Sequence, residues 1–123
     1  MRFVAAIPLV LLAGAAFAQE VPEETARDLW CGIAFGIVSA DAPVDVTKEQ
    51  QGIIDAYRDG GVELVSRAKV AHLERGYNED SFNKRVETLS AEIAEIFNSA
   101  AQVSASKTSA PYTFEACSAL IGM

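Results

Sequence analysis

Between residues 82 and 103 the apolar positions Phe82, Val86, Leu89, Ile93, Ile96, Ala100 and Val103 follow one another at intervals of 4, 3, 4, 3, 4 and 3. That spacing puts one apolar stripe on a helix, with Phe97 widening it. Lys84, Glu87, Glu92, Glu95 and Asn98 fall on the other side, and Asn78 or Ser81 is placed to cap the start. The repeat suits a coiled-coil dimer, but a helix inside a bundle uses the same spacing, and the bundle is the reading taken. Upstream, Ile53, Ile54, Tyr57, Leu64, Val65, Ala68, Ala71 and His72 share a second helical face. Thr47-Lys48-Glu49-Gln50 in front of them is a T-x-x-Q capping box. Gly60-Gly61 falls inside this run without shifting its phase, since Tyr57 and Leu64 are seven residues apart. One helix from 48 to about 75 is therefore predicted, bent at the glycines if anywhere, with Arg75-Gly76 as its stop.

Two further helices complete the pattern. Pro22 suits a first helical turn, and Glu23, Glu24 and Asp28 bring negative charge to its positive end. Leu29 to Val38 is apolar on every face, which predicts a buried helix. Gly32 and Gly36, with Ala40 continuing the row, allow another backbone close. The expected use is packing inside the bundle against a surface containing Gly60 and Gly61, with self-association as the alternative. Ser39 to Val46 reads as a loop in which Asp41, Pro43 and Asp45 form turns. Ser104 to Pro111 is a second polar loop. Thr113 then caps a short final helix whose buried stripe is Phe114, Cys117, Leu120 and Ile121, with Tyr112 and Cys117 at the two positions of a hydrophobic staple.

The first eighteen residues change the setting rather than the fold. Arg2 is followed by an uncharged apolar run from Phe3 to Ala15, then Ala16-Phe17-Ala18 and the polar Gln19-Glu20. This is the order of a secretory signal peptide cleaved after Ala18, and the run is too short to span a bilayer. Residues 1–18 are thus expected to be a leader and 19–123 one domain, exported to a bacterial periplasm or beyond. Losing Arg2 takes the ten basic side chains to nine against seventeen acidic ones, and the net charge from −7 to −8. No basic stripe is present, so nucleic acid is not an expected partner, and no membrane span is expected after cleavage. The two cysteines, Cys31 and Cys117, are expected to form one disulfide in an oxidising compartment. Closing so long a loop contributes about 4–5 kcal/mol in the chain-entropy treatment. The fold class predicted is all-α, a small antiparallel four-helix bundle-like domain with that disulfide joining the first and last helices.

Chemistry is sparse. His72 is the single histidine, so no histidine cluster exists for zinc, and no metal or cofactor is expected. It lies at the edge of its helix's apolar stripe. As a general base it would have to draw on Asp80 or Glu79. No nucleophile elbow, catalytic triad order, metalloprotease helix, haem-attachment motif or phosphate loop is present. Glu92 and Glu95 lack the histidine that a carboxylate-bridged di-iron bundle requires. No catalytic residue is assigned. The layout resembles that of small exported helical proteins of bacteria, through Cys31-Gly32-Ile33-Ala34-Phe35 early and Phe114-Glu115-Ala116-Cys117 late. Acid-activated periplasmic chaperones also combine one disulfide with a small helical body, although none of their motifs is matched here. The expectation is a non-enzymatic exported binding or interaction protein with an unidentified protein partner, a stress chaperone being one version. It is expected to be a monomer, with a homodimer as the alternative. A carrier of an apolar ligand in the bundle core comes second, an enzyme third.

Overall fold

The computed structural model describes residues 20–102 and 110–123. The leader at 1–18, Val103, the side chain of Ala100 and most of the Ser104–Pro111 loop lie outside the described residues. Within them the chain forms four helices: α1 (Glu23–Ala40), α2 (Lys48–Glu74), α3 (Glu79–Gln102) and α4 (Phe114–Leu120). There is no strand among the described residues.

Local chemistry sets the helix ends. Pro22 stands just outside α1 rather than in its first turn, with its carbonyl accepting from the amides of Thr25 and Ala26. At Thr47 the capping box closes both ways, Gln50 N donating to Thr47 Oγ1 and Thr47 N to Gln50 Oε1. Asn78 and Ser81 form the equivalent reciprocal pair before α3. Thr113 Oγ1 accepts from Ala116 N at the start of α4. Helix α2 runs unbroken through Gly60-Gly61, as the preserved phase predicts. It ends at Glu74, and Gly76 just beyond the Arg75 cap has a φ of 102°, which favours a residue without a Cβ.

Helix α1 is the element against which the other three pack. Asp28 meets Arg67, Gly32 meets Gly61 and Val65, and Phe35 meets Tyr57, so α1 and α2 are antiparallel. Leu29, Cys31, Phe35, Leu64 and Ile93 are almost wholly inaccessible and form the core with Ala68 and Phe82. Burying each large aliphatic or aromatic side chain contributes about 1.5–3 kcal/mol. The central place of α1 explains why its apolar run is buried from Leu29 to Phe35; beyond that Gly36 and Val38 are exposed, contrary to the expectation of a run buried through Val38. Ile53 is 47 % exposed despite its place in the stripe.

The disulfide between Cys31 and Cys117 joins α1 to α4 across 86 residues of sequence. Seven residues make a helix too short to persist alone. The covalent tie and the Trp30–Tyr112 and Phe35–Phe114 ring contacts hold it across α1.

Candidate functional site

The glycines divide between two contacts. A Cβ on Gly32 would lie 2.9 Å from the Gly61 carbonyl oxygen, and one on Gly61 2.9 Å from the Gly32 carbonyl oxygen. These two residues therefore form the closest approach of α1 and α2. Gly60, about 100° around the helix from Gly61, faces Ile121 beyond α4 instead of α1. A Cβ on Gly36 would meet nothing within 4 Å, but the Gly36 backbone nitrogen lies 3.5 Å from a Cβ placed on Gly61, so Gly32, Gly36 and Gly61 meet at one contact and Gly60 alone of the predicted seam stands apart. Gly36 also opens onto a shallow groove of about 420 Å³ floored by Gly32, Ile33 and Val65 and edged by Val62 and Arg58.

His72 is not at an edge. It is fully buried, its ring edge-to-face with Tyr77 and Phe82 at centroid distances of 4.7 and 5.0 Å. Its Nδ1 lies 2.7 Å from the Ala68 carbonyl oxygen, which makes Nδ1 the protonated nitrogen of the neutral ring. Its Nε2 is shielded and has no hydrogen-bond partner among the described residues. Burial pushes its pKa below the ordinary imidazole value, the Ala68 carbonyl opposes this, and the Arg85 charge adds to the depression. The acids considered as its partners are elsewhere. Glu79 is ion-paired with Lys69, which holds its carboxyl below the usual range, and Asp80 is exposed. The α2–α3 turn folds the ring inward beneath Phe82, away from both carboxylates.

Two concavities adjoin where the chain entering α4 crosses α1 and α3. Trp30 and Tyr112 meet there with centroids 5.7 Å apart and planes tilted by 60°. The Tyr112 hydroxyl donates to Glu23 Oε2 at 2.5 Å. Partial burial, then this bond and the Glu23 charge, push the phenol up to about 12. On one side of the ring pair is an apolar cavity of about 140 Å³ lined by Ala34, Phe35, Val38, Phe97, Phe114 and Cys117. On the other side is a groove of about 390 Å³ along α3, lined by Ala26, Arg85, Leu89, Glu92, Ile96 and Pro111. Trp30 and Tyr112 line both.

Two arginines border this region. Arg27 on α1 and Arg85 on α3 form no ion pair among the described residues, and the Nε of each is shielded without a hydrogen-bond partner. The periodicity hides this groove. Leu89 and Ile96 belong to the core stripe itself, Arg85 and Glu92 flank it at four residues before and three after Leu89, and Glu92 reads as surface. Among the described residues no cluster of three or more potential metal ligands occurs, and no helix is long and apolar enough to cross a membrane. No protein-family model matches this chain, and searches of curated proteins and of solved structures give no match.

Proposed function

We propose that this chain is an exported, non-enzymatic binding protein that holds a small, largely apolar ligand against the Trp30–Tyr112 pair. The observation that carries this reading is the placement of an apolar cavity and an apolar-lined groove on the two sides of one ring pair. Concave, aromatic-lined sites with a few polar groups at their rim are the usual form of small-ligand sites. The signal-like leader and the disulfide support export to a periplasm or the exterior. The burial of His72 supports a non-catalytic role, since its ring is shut away from any substrate.

Trp30 is the only tryptophan in the sequence, so its emission reports on the site directly. Titration of the oxidised protein with decanol is expected to shift that emission saturably. The shift should be lost in Leu89→Asp, with far-ultraviolet circular dichroism showing that this variant keeps its helices. An unchanged emission spectrum would refute the reading.

A second reading is an interaction protein that receives a helix of a protein partner. The groove at Gly36 favours it, since Val62 at its edge is 62 % exposed. It is separable from the first, because a partner held there would protect α1 and α2 from hydrogen exchange without changing Trp30 emission.

A further inference from the structure

From Arg85 and the groove it heads, we propose that the ligand is a single-chain anionic amphiphile, its carboxylate held at Arg85 and its chain laid along Leu89, Trp30 and Ile96. This rests on the reading of the Trp30–Tyr112 groove as a binding site and adds the chemical class of what fills it. The chain as a whole is acidic, with a net charge of −7, yet this corner gathers Arg85, its neighbour Lys84 and, across on α1, Arg27. Arg85 lines both the groove along α3 and a second depression shared with Tyr77, Lys84 and Thr88. Its Nε has no acceptor among the described residues, and Arg85 forms no ion pair among them. A guanidinium that lines a groove without a protein carboxylate gains from an anion entering there, and a carboxylate matches its fork.

The rest of the groove selects the tail. From Arg85 to Ile96 a helix rises about 16 Å, a length suited to one medium acyl chain lying along α3. Leu89, Ile96 and Trp30 offer it apolar walls. Glu92 is exposed at the rim between Leu89 and Ile96. Its charge disfavours a carboxylate midway along the groove and so directs the headgroup to the Arg85 end.

The test is a pair of Trp30 emission titrations on the oxidised, full mature chain, with decanoate and with decanol, for the wild type, Arg85→Gln and Arg85→Lys. Decanoate is expected to bind about tenfold or more tighter than decanol. Arg85→Gln should remove that advantage, so that the two probes bind this variant with affinities within about twofold of each other. Arg85→Lys should restore part of it, and added salt should weaken decanoate alone. Equal binding of both probes, unaltered by Arg85→Gln, would overturn the anionic headgroup and leave the groove standing. Binding of neither probe to the wild type would overturn the groove and this inference together. Circular dichroism and the urea midpoint of each variant separate lost binding from lost fold.

Discussion

Replacing Gly32 with Ala and Gly36 with Ala adds one methyl group to the same helix four residues apart, and the two changes are expected to act in opposite directions. Both remove a mid-helix glycine, which by itself favours the helix by about 0.8–1 kcal/mol. At Gly36 nothing lies within 4 Å of the new Cβ, so that gain is expected in full. At Gly32 the new Cβ would sit 2.7 Å from Val65 Cγ2, 2.9 Å from the Gly61 carbonyl oxygen and 3.0 Å from Val65 N. Two of those three atoms are backbone, so rotating a side chain does not relieve the overlap and α1 must move off α2. Overpacking of this kind costs about 1–3 kcal/mol, and the upper part of that range outweighs the propensity gain. The net expectation is a loss of about 1–2 kcal/mol for Gly32→Ala. With a urea slope of about 1–2 kcal/mol/M, the midpoint of Gly32→Ala falls by about 1 M and that of Gly36→Ala rises by about 0.5 M. Equilibrium urea unfolding of the oxidised proteins, followed by circular dichroism, measures both. A Gly32→Ala midpoint at or above wild type would refute the Gly32–Gly61 contact. A fall for Gly36→Ala would show that its open face is covered.

Other expectations follow from the disulfide and from His72. The double variant Cys31→Ser, Cys117→Ser is expected to lose about 2–5 kcal/mol and to release α4 first, seen as red-shifted Trp30 emission before helix is lost. Simultaneous loss of both signals would argue against a separately clipped α4. His72 is neutral in the native state with its pKa depressed by burial, whereas the unfolded chain takes up a proton near pH 6.5. The unfolded state thus binds more protons below that pH, so stability falls as pH drops from about 6.5 toward the depressed native value. Arg85 faces the ring from α3 and sharpens the effect, while the Ala68 carbonyl on α2 tempers it. Paired carboxylates such as Glu79 lose their contribution only lower, toward and below the usual carboxylate range near pH 4. Urea midpoints between pH 5 and 6.5 should therefore slope for the wild type and flatten in His72→Phe, and an equal slope in both proteins would remove His72 as the cause.

Much of the fold is written in local signals. The capping box at Thr47, the 4-3 stripe of α3 from Phe82 to Ile96 and the apolar run of α1 from Leu29 to Phe35 each depend on residues within a few turns, and each appears where its spacing places it. The cysteine pair carries one long-range contact because only one intramolecular pairing exists. What stays illegible is set by how helices roll against one another. Gly60 and Gly61 look alike in sequence, yet one faces α1 and the other Ile121. His72 looks like a border residue on α2 alone, and becomes fully buried only because α3 turns back over it with Phe82. The groove is hidden for a related reason. Arg85 and Glu92 mark a polar face on α3 by itself, and only the crossing of Tyr112 over Trp30 gives that face a second wall.

Chemical-shift mapping of the isotope-labelled, oxidised protein with decanol addresses the binding site most directly. The expected perturbations centre on the Trp30 indole and on Leu89, Ile96 and Tyr112, with Gly36 and Val62 unmoved. Perturbations confined to Gly36, Val62 and Val65, or none at saturating decanol, would contradict the assignment of the Trp30–Tyr112 groove as the site where this protein binds.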